Sequence, residues 1–289
     1  MKQLALKIRN SLPAPLRSEL QIQFESLRLN RLPRTACDPG RLGPAGPVGL
    51  GDLFTDPAIA ARWHNHGRHV DALPSFPIHA GSMSDIDRRA LYFLAHRLAP
   101  ASVLEVGTHL GASTLLIAAA LDDLVAAGRL PSFSVTTVDI RDVNDPVTRP
   151  WTAYGSAASP RDLLASIGCA DRVEFVTSPS LDFMARTDRR FDLIFLDGSH
   201  SAAVVYREVP MALDLLRPGG YVLLHDYHTD FAALRRRGSL CPGPALALRR
   251  LMTEAGGFTV QPLGDLPWHC AEHDSHTTTL ALLTRSAQA

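Results

Sequence analysis

Apolar and polar positions follow two different patterns along most of the chain. From about residue 100 onward, short runs of β-branched and other apolar residues alternate with longer stretches in which apolar residues recur at helical spacing. This alternation predicts parallel strands connected by helices that cover both faces of a doubly wound sheet. Seven strands are predicted near residues 102–107, 133–140, 173–177, 191–197, 221–225, 258–262 and 278–284.

The predicted helices fill the gaps between these strands. The first, at residues 84–98, has Ser84 as its N-cap and Asp87 near the position that completes a capping box, and Pro100 ends it. Further helices are predicted near residues 112–127, 161–167, 181–185, 202–216 and 244–255. The pattern therefore predicts an α/β fold built on a doubly wound, seven-stranded, mostly parallel sheet, preceded by an N-terminal helical extension.

The first 51 residues have a different character. Apolar and charged residues are mixed between residues 2 and 30, and Pro13 and Pro15 divide this segment into two short amphipathic pieces. Residues 33–51 are too rich in proline and glycine for regular structure. We interpret residues 1–51 as a helical arm and linker, and residues 52–289 as one domain. The arm is locally basic, and packing on its own domain or on a second subunit, as in a homodimer, is favoured over a membrane surface or an acidic partner.

Composition excludes several classes of protein. The 289 residues include 29 basic and 29 acidic side chains, so no overall charge favours nucleic acid as a partner. The four cysteines are far apart without C-x-x-C spacing, which favours a reducing, cytoplasmic location over a disulfide or zinc framework. The longest apolar stretch, residues 115–121, is far shorter than the roughly 20 residues of a transmembrane helix.

The first predicted strand leads into a glycine-bearing turn, V-L-E-V-G-T-H-L-G-A-S over residues 103–113. Gly107 permits a sharp turn, Gly111 permits close approach of the next helix, and Glu105 can pair with a cationic amino group. The second strand ends at Asp139, a carboxylate that can accept hydrogen bonds from both hydroxyls of a ribose. Together these features indicate a nucleoside-containing cofactor, although G-x-x-x-G alone is a weak signal.

The most specific pattern is F-D-L-I-F-L-D-G-S-H at residues 191–200, followed by L-R-P-G-G-Y-V-L-L-H-D at residues 216–226. With the glycine turn, these motifs resemble the class I S-adenosylmethionine-dependent methyltransferases over residues 82–284. The closer resemblance is to the small-molecule O-methyltransferases of the catechol and macrolide-sugar types. The resemblance implies a Rossmann-like fold, S-adenosyl-L-methionine as cofactor, and a hydroxylated small molecule or sugar as substrate.

The resemblance also implies residue roles. Glu105, Gly107 and Gly111 would hold the methionine part of the cofactor, Asp139 its ribose, and the loop around Ser178 its adenine edge. The predicted cofactor set is Glu105, Gly107, Thr108, Gly111, Ser113, Asp139, Ser178 and Asp197.

A second implied group concerns metal and proton transfer. Asp197 and Asp226 end neighbouring strands, and matching positions in metal-dependent relatives bind Mg²⁺, a hard cation that prefers carboxylate oxygens. His225 departs from that pattern and would supply nitrogen to Mn²⁺ or Fe²⁺, or not coordinate. His200 is a candidate general base, with His228 competing for the role and capping or loop bonding as the alternative for His200. The predicted catalytic residues are thus His200, Asp197 and His228, and the predicted metal ligands are Asp197, His225 and Asp226.

Other functions remain open at this point. The same fold could carry N-methylation, a non-haem metal oxygenase in which His225 and two aspartates hold iron, a nucleoside-cofactor oxidoreductase, or a non-catalytic cofactor-binding scaffold. The segment 268–276 is rich in potential ligands, but its spacing fits no metal pattern, which favours a polar loop.

Overall fold

The computed structural model describes residues 13–43, 46–70, 83–231, 241–270 and 274–286. Eight helices and nine strands are found in these ranges. The helices are α1 (Ala14–Asn30), α2 (Pro57–Val70), α3 (Asp85–Leu98), α4 (Ala112–Ala126), α5 (Pro160–Ser166), α6 (Ser180–Arg186), α7 (Ala202–Leu215) and α8 (Gly243–Glu254). The strands are β1 (Ser102–Val106), β2 (Ser134–Asp139), β3 (Val173–Thr177), β4 (Phe191–Leu196), β5 (Leu216–Leu224), β6 (Phe258–Pro262), β7 (Asp265–Cys270), β8 (Ser275–Thr277) and β9 (Ala281–Arg285).

Seven of the strands form one sheet in the order β3-β2-β1-β4-β5-β9-β6. The pairs from β3 to β5 are parallel, whereas β9 runs antiparallel to both β5 and β6. This confirms the predicted seven-stranded, mostly parallel, doubly wound sheet. The strand order reverses between β1 and β4, and ligands of such sheets bind at the carboxyl ends of the strands beside that point. The topology therefore places Gly107 and Asp197 at the expected position of a site.

Buried apolar residues lie on both faces of the sheet, as parallel strands require. Alternate residues of β1 contribute to opposite layers: Val103 packs with α3 and α4, and Leu104 packs with α7 and α8. Helix α4 is nearly all apolar and buried because it lies between the sheet and α3. The carboxyl edge of the sheet is thus held by elements that are themselves buried.

Helix α1 confirms the second of the two predicted amphipathic pieces of the arm, because it begins directly after Pro13; the first piece lies outside the described residues. It packs against α7 and α8. Arg250 of α8 donates hydrogen bonds to the carbonyl oxygens of Leu29 and, at 2.8 Å, Leu32. Helix α1 is therefore joined to the domain, while its other face exposes apolar side chains at Leu16, Leu20, Phe24 and Leu27.

The C-terminal part of the chain corrects one expectation. Residues 268–276 are not simply a polar loop, because strands β7 and β8 pair antiparallel there; residues 271–273 lie outside the described ranges. The Thr277 hydroxyl donates to Asp265 at 2.6 Å across this pair, and Leu266 and Cys270 are buried. The polar composition and Pro267 had concealed the strands, which are short. Among the described helices, none combines the length and apolar composition that spanning a membrane requires.

Candidate active site

The loop between β1 and α4 is shaped by a glycine. Gly107 has a φ of +100°, and its amide donates to the carbonyl oxygen of Val138 at 2.8 Å. A Cβ atom at Gly107 would lie 2.3 Å from the carbonyl oxygen of Asp197, a distance that no real structure tolerates. Only glycine fits here, because both the left-handed backbone and the close approach exclude a side chain. The ends of β1, β2 and β4 are thereby drawn together.

Glu105 is fully buried beneath this loop. Its Oε2 accepts hydrogen bonds from the hydroxyls of Thr114 and, at 2.6 Å, Thr137, and the Thr108 hydroxyl lies 2.6 Å from that of Thr137. Its Oε1 has no hydrogen-bond partner within the described chain. Burial raises the pKa of Glu105 to about 7, against the opposing effect of its hydroxyl donors. An unsatisfied buried carboxyl oxygen is a feature that a cationic group nearby would relieve.

Asp139 ends β2 and organises the neighbouring loops. Its carboxylate accepts hydrogen bonds at 2.9 Å from the amides of His109 and Arg141. The amide of Ser178 donates to the backbone carbonyl of Asp139 at 2.9 Å, which brings the end of β3 to the same place. His109 was not predicted from the sequence; it adopts a φ of +47°, and its ring centroid lies 4.7 Å from that of Tyr154 at an interplanar angle of 57°.

A cavity of about 670 Å³ opens along this edge of the sheet. Six of the eight predicted cofactor residues line it, whereas Gly111 and the fully buried Glu105 do not. The lining includes Met83, Gly107, Thr108, His109, Ser113, Asp139, Ser178, Asp197 and His200. The cavity therefore extends from the glycine loop and Asp139 to the end of β4 and His200.

His225 occupies the centre of that second corner. It follows β5 and is buried, and its Nδ1 lies 2.8 Å from Asp197 Oδ1. The same nitrogen is 3.8 Å from Asp226 Oδ1. On the other side of the ring, Nε2 lies 3.4 Å from Asp87 Oδ2. Three carboxylates thus surround one imidazole.

Asp87 was predicted only as a capping residue of α3. It accepts hydrogen bonds from Ser84 at 2.6 Å and from the amide of Thr279 at 2.8 Å, and also from the Thr278 hydroxyl. Burial alone would raise the pKa of Asp87, but these donors and the charge of His225 lower it to about 2. Asp87 is therefore an ionised carboxylate that joins α3, β5 and the segment before β9.

The charges in this corner favour a protonated His225. Burial would lower the pKa of His225, yet the charges of Asp197 and Asp226 raise it well above its usual value. The pKa of Asp226 is lowered, because the charges of His225, His200 and His228 outweigh its burial. An imidazolium in this position neutralises the negative charge of Asp197 and Asp226, which a metal ion would otherwise neutralise.

Two further histidines and a cysteine lie beside Asp226. His200 Nε2 is 3.5 Å from Asp226 Oδ2 and 4.0 Å from Asp197 Oδ1, and about a third of its side chain is exposed to the cavity. His228 Nε2 is 3.9 Å from Asp226 Oδ1. Cys241, which sequence reasoning set aside for lack of a C-x-x-C partner, lies within ligand distance of His200 and Asp226.

Glu25 of the arm also reaches this corner. Its Oε2 accepts hydrogen bonds from the Ala202 amide at 2.8 Å and the Ser201 hydroxyl at 3.3 Å. It thereby caps helix α7, where Ser201 makes no capping bond of its own. Because His200 directly precedes Ser201, the arm supports the segment that carries a predicted catalytic residue.

Comparison with known proteins gives this geometry a context. Residues 104–227 match the family model described as a methyltransferase domain. This match covers less than half of the chain, from β1 to just beyond β5. The matched segment contains Gly107, Asp139, Asp197, His200 and Asp226, which are the residues that border the cavity and its second corner. No curated protein matches the sequence.

Solved structures resemble this chain in fold. The O-methyltransferase TomG of Streptomyces achromogenes, solved with SAM, has 19% identity and a TM-score of 0.51, covering 80% of this chain and 91% of that chain. The SAH-bound methyltransferase PaMTH1 of Podospora anserina has 19% identity and a TM-score of 0.52, with coverages of 85% and 100%. The SAH-bound O-methyltransferase of Bacillus cereus has 17% identity and a TM-score of 0.50, with coverages of 80% and 91%.

The described residues fit the cofactor better than they fit the predicted metal. The free Oε1 of Glu105 and the cavity beside Gly107 and Asp139 suit S-adenosylmethionine. A Mg²⁺ ion between Asp197, His225 and Asp226 does not suit this arrangement, because the His225 ring already lies among the carboxylates. Since a protonated imidazole has no lone pair for a metal, we derive no chemical step through an ion at these three residues.

Proposed function

We propose that the protein transfers the methyl group of S-adenosylmethionine to a hydroxyl oxygen of a small molecule or sugar. The observation that carries the proposal is the single cavity that joins Gly107 and Asp139 to His200. Such a cavity can hold the cofactor and an acceptor end to end, which in-line displacement requires. The descriptions of TomG and the Bacillus cereus protein as O-methyltransferases support an oxygen acceptor.

The part of the cavity around Gly107 and Asp139, here called the cofactor half, would bind and orient S-adenosylmethionine. The bound cofactor supplies a methyl group on a positively charged sulfur. In the proposal, Asp139 accepts hydrogen bonds from the ribose hydroxyls, with its carboxylate already fixed by the amides of His109 and Arg141. Thr108, Ser113 and Ser178 line the same wall and offer hydroxyl and backbone groups to the rest of the molecule. Glu105 supports this wall from below.

The part of the site around His200 and Asp226, here called the acceptor half, would remove the proton of the acceptor hydroxyl. His200 lines the cavity, and the carboxylate of Asp226 lies 3.5 Å from its Nε2. A carboxylate at this distance stabilises the imidazolium that forms when His200 takes the hydroxyl proton. His228 also lies near Asp226, but it does not line the cavity. His200 is therefore the favoured base, with Asp197 and Asp226 held in place by His225. Metal assistance remains a prediction, and the proton transfer proposed for His200 does not depend on it.

Calorimetric titration with S-adenosylmethionine, S-adenosylhomocysteine and NAD tests the cofactor. Both sulfur nucleotides should bind and NAD should not, and Asp139→Ala should weaken binding at least tenfold because two ribose hydrogen bonds are lost. Asp145→Ala is the matched control, since Asp145 lies in the loop after Asp139 and its carboxylate accepts hydrogen bonds from Val147 and Thr148 of the same loop. Formation of S-adenosylhomocysteine with hydroxylated acceptors, compared with their amino analogues, then tests oxygen as the target. If neither sulfur nucleotide binds, the proposal fails.

A further inference from the structure

Histidine side chains balance the charges of the three carboxylates around His225. Within the described ranges, the ion pairs of Asp87, Asp197 and Asp226 are made with histidine side chains and with no arginine or lysine. Asp87 has several short hydrogen bonds. Asp226, by contrast, lies 3.5, 3.8 and 3.9 Å from its three histidine neighbours. Asp226 is thus the carboxylate with the loosest cationic partners.

Three different donor types meet beside Asp226. One nitrogen of His200, a carboxylate oxygen of Asp226 and the sulfur of Cys241 all lie within 4.8 Å of one another. His200 follows β4, Asp226 follows β5, and Cys241 immediately precedes α8. These segments are firmly joined, because a Cβ atom on Gly243 would lie 1.9 Å from the carbonyl oxygen of His200. The start of α8 is therefore packed directly on the backbone that carries His200.

We propose that His200, Asp226 and Cys241 form a binding site for a divalent ion of borderline softness, in the first place Zn²⁺. Nitrogen, oxygen and thiolate sulfur together suit Zn²⁺, whereas Mg²⁺ prefers oxygen ligands alone. Three protein ligands are the number found in catalytic zinc sites, which leave one position for water or substrate. All three residues are partly exposed, so an ion can enter. The site differs from the predicted set because it uses Cys241 and omits His225.

The location of this site gives the ion a role in the proposed function. His200 lines the cavity, so an ion held by it would lie at the wall where the acceptor is expected. A bound cation lowers the pKa of a coordinated hydroxyl, and with His200 engaged as a ligand the proton would pass to the carboxylate of Asp197, which lines the same cavity. This role depends on the proposed methyl transfer. Binding of the ion does not, and the two can be tested separately.

Cobalt(II) is the spectroscopic probe for the site. Chelator-treated protein is titrated with Co²⁺, and a thiolate-to-cobalt charge-transfer band should grow to one equivalent and disappear when Zn²⁺ is added. Cys241→Ser should abolish the band and weaken Zn²⁺ binding by more than the roughly 10–100-fold that an outer-shell partner contributes. Cys37→Ser is the matched control, because Cys37 is another half-buried free cysteine near acidic residues. It should leave both the band and the affinity unchanged.

Asp226→Asn provides a second, nearly isosteric variant in case Cys241→Ser is poorly folded. It should weaken Zn²⁺ binding while keeping the band at saturating Co²⁺, because the thiolate is still present. A band that persists in Cys241→Ser, or wild-type protein that gives no band, would overturn the metal site. S-adenosylmethionine titrations on the same samples separate the two proposals. Cofactor binding without the band leaves methyl transfer standing, and the band without cofactor binding leaves only the ion site.

Discussion

The two halves of the cavity are built from contacts of very different sequence separation. Around the cofactor half, Glu105 bonds Thr114 and Thr137, and His109 bonds Asp139, over separations of 9, 32 and 30 residues. In the acceptor half, Asp87 meets His225 over 138 residues and Thr279 over 192. These contacts of the cofactor half lie within the β1-α4-β2 unit, whereas those of the acceptor half join segments from distant parts of the chain.

This contrast has a thermodynamic counterpart. The buried carboxyl of the cofactor half, Glu105, is shifted toward its neutral form, while Asp87 and Asp226 of the acceptor half are held ionised around a protonated His225. Charged networks in a low-dielectric interior are strongly coupled, so removing one member exposes the others to a large penalty. We therefore expect the two halves to respond differently to substitution.

Gly107→Ala is expected to have the largest effect and should break the cofactor half. The new Cβ would lie 2.3 Å from the carbonyl oxygen of Asp197 at a φ of +100°. Backbone strain of about 1–3 kcal/mol and the displacement of β4 should together lower the free energy of unfolding and abolish measurable binding of S-adenosylmethionine. Urea denaturation and calorimetry measure the two effects.

Gly128→Ala is the control that separates the effect of backbone strain at a positive φ from the effect of the close contact between Gly107 and Asp197. Gly128 also has a positive φ, +67°, but open space surrounds its Cβ position. This control should lose about 1 kcal/mol or less and keep full cofactor affinity. Equal losses in the two variants would show that the close approach to Asp197 has no special importance.

Asp87→Asn should break the acceptor half while sparing the cofactor half. Removing one partner of a buried ion pair typically costs about 3–5 kcal/mol, and the displacement of His225 should lower kcat for methyl transfer. The affinity for S-adenosylmethionine should change less than threefold, or about 0.7 kcal/mol, because Asp87 is connected to the predicted cofactor residue Asp197 through His225. Denaturation, steady-state kinetics and calorimetry measure these three quantities.

Asp85→Asn is the matched control for this prediction. Asp85 lies on the same first turn of α3, but it is exposed and pairs with Arg88 at 3.4 Å. Because the Asp85 carboxylate is exposed to water, its pair with the buried Arg88 should contribute about 1 kcal/mol or less. Our separation of the two halves would be wrong if Asp87→Asn reduced cofactor affinity as much as Asp139→Ala.

The same contrast explains which parts of the fold and of the site could be predicted from the sequence. Strand periodicity predicted the sheet, and the loop from Glu105 to Ser113 was recognisable because its residues are adjacent in the chain. Asp87, Cys241 and Glu25 gave no comparable signal. Asp87 satisfied a local capping pattern, which concealed its partnership with His225, and Cys241 had no second cysteine nearby. Their proximity depends on how α1, α3 and α8 pack, which no local pattern encodes.

The smallest expected difference between the two halves is in the pH dependence of the free energy of unfolding. The pKa of Glu105 rises from 4.5 to about 7 on folding, so the native protein binds a proton more tightly than the unfolded chain. The resulting stabilisation is complete below pH 4.5 and is lost as the pH rises through 7, with a slope of at most about 1.4 kcal/mol per pH unit. Glu105→Gln should remove this slope, because glutamine keeps the shape but does not titrate.

The raised pKa of His225 has the same sign, but its contribution is complete only below about pH 6.5, the ordinary value for histidine, and is lost at a higher pH. Urea denaturation at pH 5, 6, 7 and 8, a range chosen to span roughly both windows, should therefore show the two losses in succession in wild-type protein. In Glu105→Gln the first loss should vanish and the second remain. A wild-type slope that survives unchanged in this variant would show that Glu105 is ionised in the folded protein, and its free Oε1 would then require a cationic partner even without the cofactor.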